Sequence, residues 1–203
     1  MIDSIVTTQD LSSYETEIVT LADKTDSAGV FSQSTAGKSL SLTETDFNSL
    51  DVGSQIIFNG ETATITEMDS ETFQVTLRKS VDWTTVAEFE YKTWKSKIQL
   101  AERLFTAKVE TQIKQLTQDF DDDIDEDEIT SSKQIKIAIE LLSLFRVYED
   151  LSMRDDSSSY ERKTKMYYAQ FETAQSDAMR FIEVEVNGAV AEIESLSGGN
   201  IIL

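Results

Sequence analysis

Ile56-Ile57-Phe58-Asn59-Gly60, followed by Thr62-Ala63-Thr64-Ile65-Thr66 and then Phe73-Gln74-Val75-Thr76-Leu77, decides the first half of the fold. Asn-Gly is the favoured pair for a two-residue hairpin turn, because both positions need positive φ. The runs on either side are short and apolar or alternate with period two, as strands do when one face is buried. Asp69-Ser70-Glu71 supplies a second turn, so residues 56–77 read as a three-stranded antiparallel meander.

Upstream, Ser39-Leu40-Ser41-Leu42 alternates in the same way, and Asp46-Phe47-Asn48-Ser49-Leu50 reads as a short helical turn before Val52-Gly53. Tyr14 to Ala22 reads as a strand or an arm. Downstream, the period changes near Tyr91. Trp94, Ile98, Ala101, Phe105, Val109, Ile113, Leu116 and Phe120 recur every three or four residues and make one helical stripe. A second helix, from Ser132 to Met153, carries two stripes: Ile135, Ala138, Leu142 and Phe145, and Ile137, Leu141, Leu144, Tyr148 and Leu151. Such a helix is covered on two sides and belongs in the middle. The hydroxyls of Thr130-Ser131-Ser132 suit its N-terminus. A third helix is expected from Tyr160 to Val186, with Asn187-Gly188 as its cap.

The reading is therefore α+β: a three-helix antiparallel bundle with an N-terminal small antiparallel β module and an extended C-terminal tail. The β-rich module with a possible arm takes residues 1–91, the bundle 92–188 and the tail 189–203.

Composition narrows the chemistry. Among 203 residues there is no Cys, His or Pro. That removes thiolate nucleophiles, Cys-ligated zinc and the commonest general base. Average usage gives about ten prolines in this length, so their absence suits long uninterrupted elements. Phosphate-cradling glycine loops and the Gly-x-Ser-x-Gly elbow are missing from the sequence. No enzymatic activity and no cofactor are expected. The start, Met1 to Val6, has no basic and apolar signal-peptide pattern, and no stretch is apolar enough to span a bilayer. A soluble protein of a reducing cytoplasm, without membrane contact, is the expectation.

The net charge of −20 is unevenly placed. Residues 1–91 hold 16 acids and 4 bases. The remaining −8 matches one run of eight acids: Asp119, Asp121, Asp122, Asp123, Asp125, Glu126, Asp127 and Glu128. An EF-hand register fails there, since Glu126 or Ile124 stands where glycine is needed, and Ser132 or Thr130 where the closing glutamate is needed. A solvated acidic loop before a helix N-terminus is the simpler reading, with no metal site assigned. Arg162-Lys163-Thr164-Lys165 with Tyr167 and Tyr168 is the only basic patch of note. It reads as a solvated helix face, and the aromatic stripe of Tyr160, Tyr167, Phe171 and Phe181 as helix packing.

The order of parts resembles the head–tail connector (adaptor, or head-completion) proteins of tailed bacteriophages. The resemblance is carried by three segments. One is the late helix with Tyr167-Tyr168-Ala169-Gln170-Phe171-Glu172-Thr173-Ala174, closed by Val186-Asn187-Gly188. Another is the pair of helices before it. The third is Leu42-Thr43, Asp46-Phe47, Leu50, Val52-Gly53 and Ile56, followed by a hairpin. The similarity spans most of residues 40–200, and no short motif in it is diagnostic.

It implies a non-enzymatic structural virion protein in the neck at the head–tail interface, assembled in the host cytoplasm. The chain would be a subunit of a homo-oligomeric ring under the portal protein. It would also meet tail or further neck proteins, and DNA would pass through without specific binding during genome ejection. The positions matching a portal-docking extension are Gly198, Gly199, Ile201, Ile202 and Leu203, whose apolar tip reads equally as folding back onto its own bundle; the acidic run or the carboxylates of the β module would line the channel, where like charge repels phosphate. Ring contacts could also pair a strand edge of the β module with the next subunit. The alternatives are another tail-completion or baseplate component, or, in a different class, a cation-binding or protein-interaction module.

Overall fold

Gln55–Phe58 and Glu61–Asp69 pair across Asn59-Gly60 in a computed structural model of the chain, with Phe58 opposite Glu61 and Gly60 at φ +82°. The structure describes residues 5–32, 38–58, 60–80, 87–116, 133–180, 183–186 and 189–192. The chain is α+β and divides into two units, the first being Val6–Ile98 and the second beginning at Gln99.

The first unit opens with α1 (Thr8–Tyr14) and a single 3-10 turn at Ile18–Leu21. There follow β1 (Thr25–Ser32), β2 (Ser39–Ser41), α2 (Glu44–Asn48), β3 (Gln55–Phe58), β4 (Glu61–Asp69), β5 (Gln74–Leu77) and β6 (Ala87–Lys92). The strands close into an antiparallel barrel in the order β1-β2-β5-β4-β3-β6. Closure depends on β1 serving two neighbours: Thr25 to Gly29 pair with β6, and Val30 to Ser32 with β2.

The expected meander is thus half of a larger object. The barrel also corrects the expectation of an edge available to a neighbouring subunit, because closure leaves its strands without a free edge. Tyr14 to Ala22 is neither strand nor arm, but the end of α1 and the 3-10 turn.

Side chains fill the barrel in phase with its pleat. Leu40, Ile56, Ala63, Ile65, Val75, Leu77, Phe89 and Tyr91 point into one apolar core. Leu50 and Phe47, which α2 carries, join the same core. In β4 the register against β5 shifts between Ile65 and Glu67. The extra residue, Thr66, donates its hydroxyl to the Thr76 carbonyl at 3.2 Å. Without that bulge Glu67 would follow Ile65 inward; with it Glu67 is exposed and Met68 packs against the core. At the next turn, Asp69 accepts from the Glu71 N–H at 3.0 Å and the Thr72 hydroxyl at 2.7 Å, which holds its carboxyl below the usual range. Phe73 follows at φ +51°, held by edge-on contact with Phe47 at 5.7 Å.

The second unit contains α3 from Gln99 onward (the helix is Lys95–Leu116), α4 (Lys133–Arg154), α5 (Ser158–Arg180), β7 (Glu183–Val186) and β8 (Ala189–Glu192). α4 and α5 pack along each other as a helical hairpin joined at Asp155–Ser157. The two stripes read on α4 explain its burial: every residue from Ala138 to Leu144 is buried. α5 contributes Tyr167, Phe171, Ala178 and Met179.

The third helix is shorter than expected. It ends at Arg180, and β7 and β8 pair antiparallel with Val186 opposite Ala189. Asn187-Gly188, expected as the helix cap, lies outside the described residues, and the strand at Glu183–Val186 ends the helix earlier. Val184, Val186 and Val190 are β-branched and alternate with glutamate or alanine, a pattern that suits strands better than helix.

Gly53 has the tightest backbone requirement. Its φ is +94°, and a Cβ there would lie 2.2 Å from the backbone nitrogen of Gln9. Gly53→Ala should cost at least about 2 kcal/mol, since strain and a backbone clash combine. Urea unfolding followed by circular dichroism checks this; a loss below about 0.5 kcal/mol, the range of ordinary surface substitutions, would show that α1 is not seated on this turn.

Candidate functional site

The acids of the interhelical run, Asp119 to Glu128, and the tail positions Gly198, Gly199, Ile201, Ile202 and Leu203 lie outside the described residues. Three other places gather polar or exposed apolar side chains.

The first is buried. Thr7 caps α1: its backbone N–H donates to the Asp10 carboxylate at 2.8 Å, and its hydroxyl accepts from the Asp10 N–H at 3.4 Å. That seats Thr8 against Asp51, 43 residues away in sequence. One Asp51 oxygen accepts from the Thr8 N–H at 2.6 Å and the Thr8 hydroxyl at 2.9 Å. The other accepts from the Ser54 hydroxyl and from the Thr93 hydroxyl at 3.1 Å. The Thr8 hydroxyl in turn accepts from the Trp94 N–H at 3.3 Å, and the Trp94 indole donates to the Ile18 carbonyl at 2.8 Å. Lys95 donates to the Leu50 carbonyl at 2.6 Å.

This cluster ties α1, the turn before β3 and the start of α3 together. It is architecture, closed to substrate: Thr8, Asp51 and Ser54 are all buried. Burial is the largest influence on the Asp51 carboxyl and pushes it above the usual carboxylate range, against the four hydrogen bonds that favour its charge.

The second place is the α4–α5 seam. Tyr148 stacks on Tyr167 with ring centroids 5.5 Å apart, and Lys163 lies over the Tyr148 ring at 4.9 Å while donating to its hydroxyl at 3.1 Å. Two members of the basic patch read from the sequence are thus engaged inside the hairpin. Tyr167 is buried, and Tyr168, 45% exposed, meets Phe145 at 5.1 Å.

The third place comprises two surfaces. On α3, Ile98, Ala101, Phe105 and Val109 are buried, as the stripe requires. Leu100 and Leu104 are nevertheless 39% and 41% exposed, and Ala107 and Thr111 are exposed as well. At 100° per residue these four form a second stripe, flanked by Arg103 on one side and Lys97 and Lys108 on the other. On the outer wall of the barrel, a cleft of about 700 Å³ is lined by Asp26, Glu88, Glu90 and Ile57. Ile57 stands opposite Glu90, and Glu90 opposite Asp26, so all three share the outer face across β3, β6 and β1.

The sequence reading missed the α3 stripe, although Leu100, Leu104 and Ala107 are visible at spacings of four and three. It missed β6 too, despite the alternation of Phe89 and Tyr91 with Glu88 and Glu90. Among the described residues, no group of three or more acidic side chains is arranged to hold a metal ion, and no helix is long and apolar enough to cross a membrane. In comparisons with known proteins, no family model matches the chain, and no match was found among curated proteins or solved structures.

The raised Asp51 pKa has a definite sign. The unfolded carboxyl titrates near about 3.9, lower than the folded one. Its contribution to stability is therefore complete below about pH 3.9 and is lost as pH rises through the folded value. Asp51→Asn keeps the shape, accepts from Thr8 and donates to Ser54 and Thr93; it should remove this slope in urea unfolding measured from pH 4 upward. Asp51→Ala leaves the Thr8 N–H without an acceptor and should cost about 3 kcal/mol at about pH 4, and less as pH rises and the wild type loses its own Asp51 contribution. An unchanged pH profile in the Asn variant would remove Asp51 as its source.

Proposed function

We propose that the chain is a structural subunit of a ring-shaped head-to-tail connector of a tailed bacteriophage, docking under the portal protein and lining the path of the DNA. The observation that carries this reading is the second apolar stripe of α3. Leu100 and Leu104 stay two-fifths exposed on a helix whose other apolar face is already buried. Covering a leucine side chain is worth about 1.5–3 kcal/mol, so such a stripe favours association with another surface.

Two further features support it. The described chemistry is concentrated in a closed hub instead of an open site with converging acids and bases. The barrel wall is acidic, with Asp26, Glu61, Glu67, Glu71 and Glu88 exposed, which suits a conduit that DNA passes without gripping it. In this reading α3 completes a three-helix antiparallel bundle with the α4–α5 hairpin. The segment after β8 is an extended tail, whose Ile201-Ile202-Leu203 tip inserts into the portal.

Light scattering after size-exclusion chromatography, alone and mixed with a portal ring, tests the assignment. The full chain should join the portal as a closed oligomer. A form lacking residues 198–203 should remain folded and fail to join. Normal assembly by the shortened form removes the tail from the reading, and no association of the full chain with itself or with a portal removes the connector.

A further inference from the structure

The exposed stripe of α3 and the cleft on the barrel wall are opposite in charge and alike in having an apolar centre. Leu100 and Leu104 run between Arg103 and Lys108, both exposed. The cleft sets Ile57 beside Asp26, Glu88 and Glu90. Its strand register places Asp26 directly opposite Glu90, a like-charge pairing that is unfavourable on adjacent strands. Lys24 offsets part of it through its ion pair with Glu90. Asp26 and Glu88 remain exposed on the same wall.

A second source of positive charge would relieve that wall. The chain is strongly acidic overall, yet α3 from Lys95 to Lys108 has four bases against one acid, Glu102. The basic helix face and the acidic wall therefore stand out from each other in sign.

From this complementarity we infer that the occupant of the α3 stripe is the barrel wall of a second copy of this chain. Leu100 and Leu104 of one copy cover Ile57 of the next, and Arg103 and Lys108 meet Asp26 and Glu88. The two surfaces differ, so the contact is heterologous: each copy offers a helix to one neighbour and a wall to the other. Contacts of that kind generate rings when the rotation closes and filaments when it does not. The interface uses side chains on the outer face of a closed barrel and needs no strand edge. This inference rests on the reading of the chain as a self-associating connector subunit, and it names the surface through which association occurs.

Sedimentation velocity of the full chain across concentration and salt, with charge-reversal variants, tests it. The wild-type chain should self-associate, with affinity falling as salt rises. Arg103→Glu and Glu88→Lys, both at exposed positions, should keep the wild-type circular dichroism spectrum and each weaken association at least tenfold, a factor worth about 1.4 kcal/mol. Combined in one chain, they should restore affinity to within about threefold of wild type, because the reversed charges again face each other. Leu104→Ser should weaken association without changing its salt slope. Wild-type affinity in Arg103→Glu, or no recovery in the combined variant, overturns the interface while leaving the connector reading intact. A full chain that stays monomeric at every concentration and salt overturns both.

Discussion

The Asp51 carboxylate is the constraint on which the first unit depends. It receives hydrogen bonds from Thr8, Ser54 and Thr93, which belong to the N-terminal helix, the turn before β3 and the residue pair leading into α3. The turn before β3 is pinned to β4, the Gly53 N–H donating to the Ile65 carbonyl at 3.0 Å and the Ile65 N–H to the Ser54 carbonyl at 2.9 Å. α1 pairs with no strand, and a helix that short has little intrinsic stability in water. One buried group with four acceptor sites fixes all three. The geometry then admits only glycine at position 53, where the Gln9 backbone passes over the turn. That carboxylate is also held in a place that raises its pKa, so its role is positional; a network fully satisfied in this way specifies one arrangement more than it adds net stability.

Barrel closure and surface charge are linked through the pleat. Alternation that sends Phe89 and Tyr91 inward sends Glu88 and Glu90 outward, and the partner strand adds Asp26 to the same face. A closed sheet has only this outer face to offer. The helical unit follows a different rule. In its α4–α5 seam Tyr148 stacks on Tyr167 and accepts from Lys163, while α3 keeps an apolar stripe exposed. Acidic wall and basic-flanked stripe are thus products of two unrelated local patterns, and the proposed contact between copies joins them.

Much of the architecture was legible in the sequence. The meander over residues 56–77 was set by Asn59-Gly60 and period-two alternation. Helices 95–116, 133–154 and 158–180 were set by stripes at spacings of three and four. β1 escaped because Thr25-Asp26-Ser27-Ala28-Gly29 lacks the bulky alternation of a strand; it is ordered by pairing with β6 across a separation only the folded chain can close. The end of the third helix was misplaced because Asn187-Gly188 reads as a helix cap as well as a turn between strands, and the cap reading overrode the period-two alternation of Glu183-Val184-Glu185-Val186. Its pairing with Ala189 to Glu192 decides for strand.

What the sequence determined by itself is local: which segments are helical, where the tight turn falls, which residues are apolar on one face, and that the chain lacks histidine and cysteine chemistry. Those properties depend on spacing and side-chain type, which a linear reading contains. The tertiary structure decided what depends on residues far apart. It closed a meander into a barrel, turned Asp51 from one acid among many into a buried hub, engaged Lys163 with Tyr148, and left Leu100 and Leu104 uncovered. Burial, hydrogen-bond satisfaction and exposure are properties of pairs distant in sequence, so they exist only once the chain has folded.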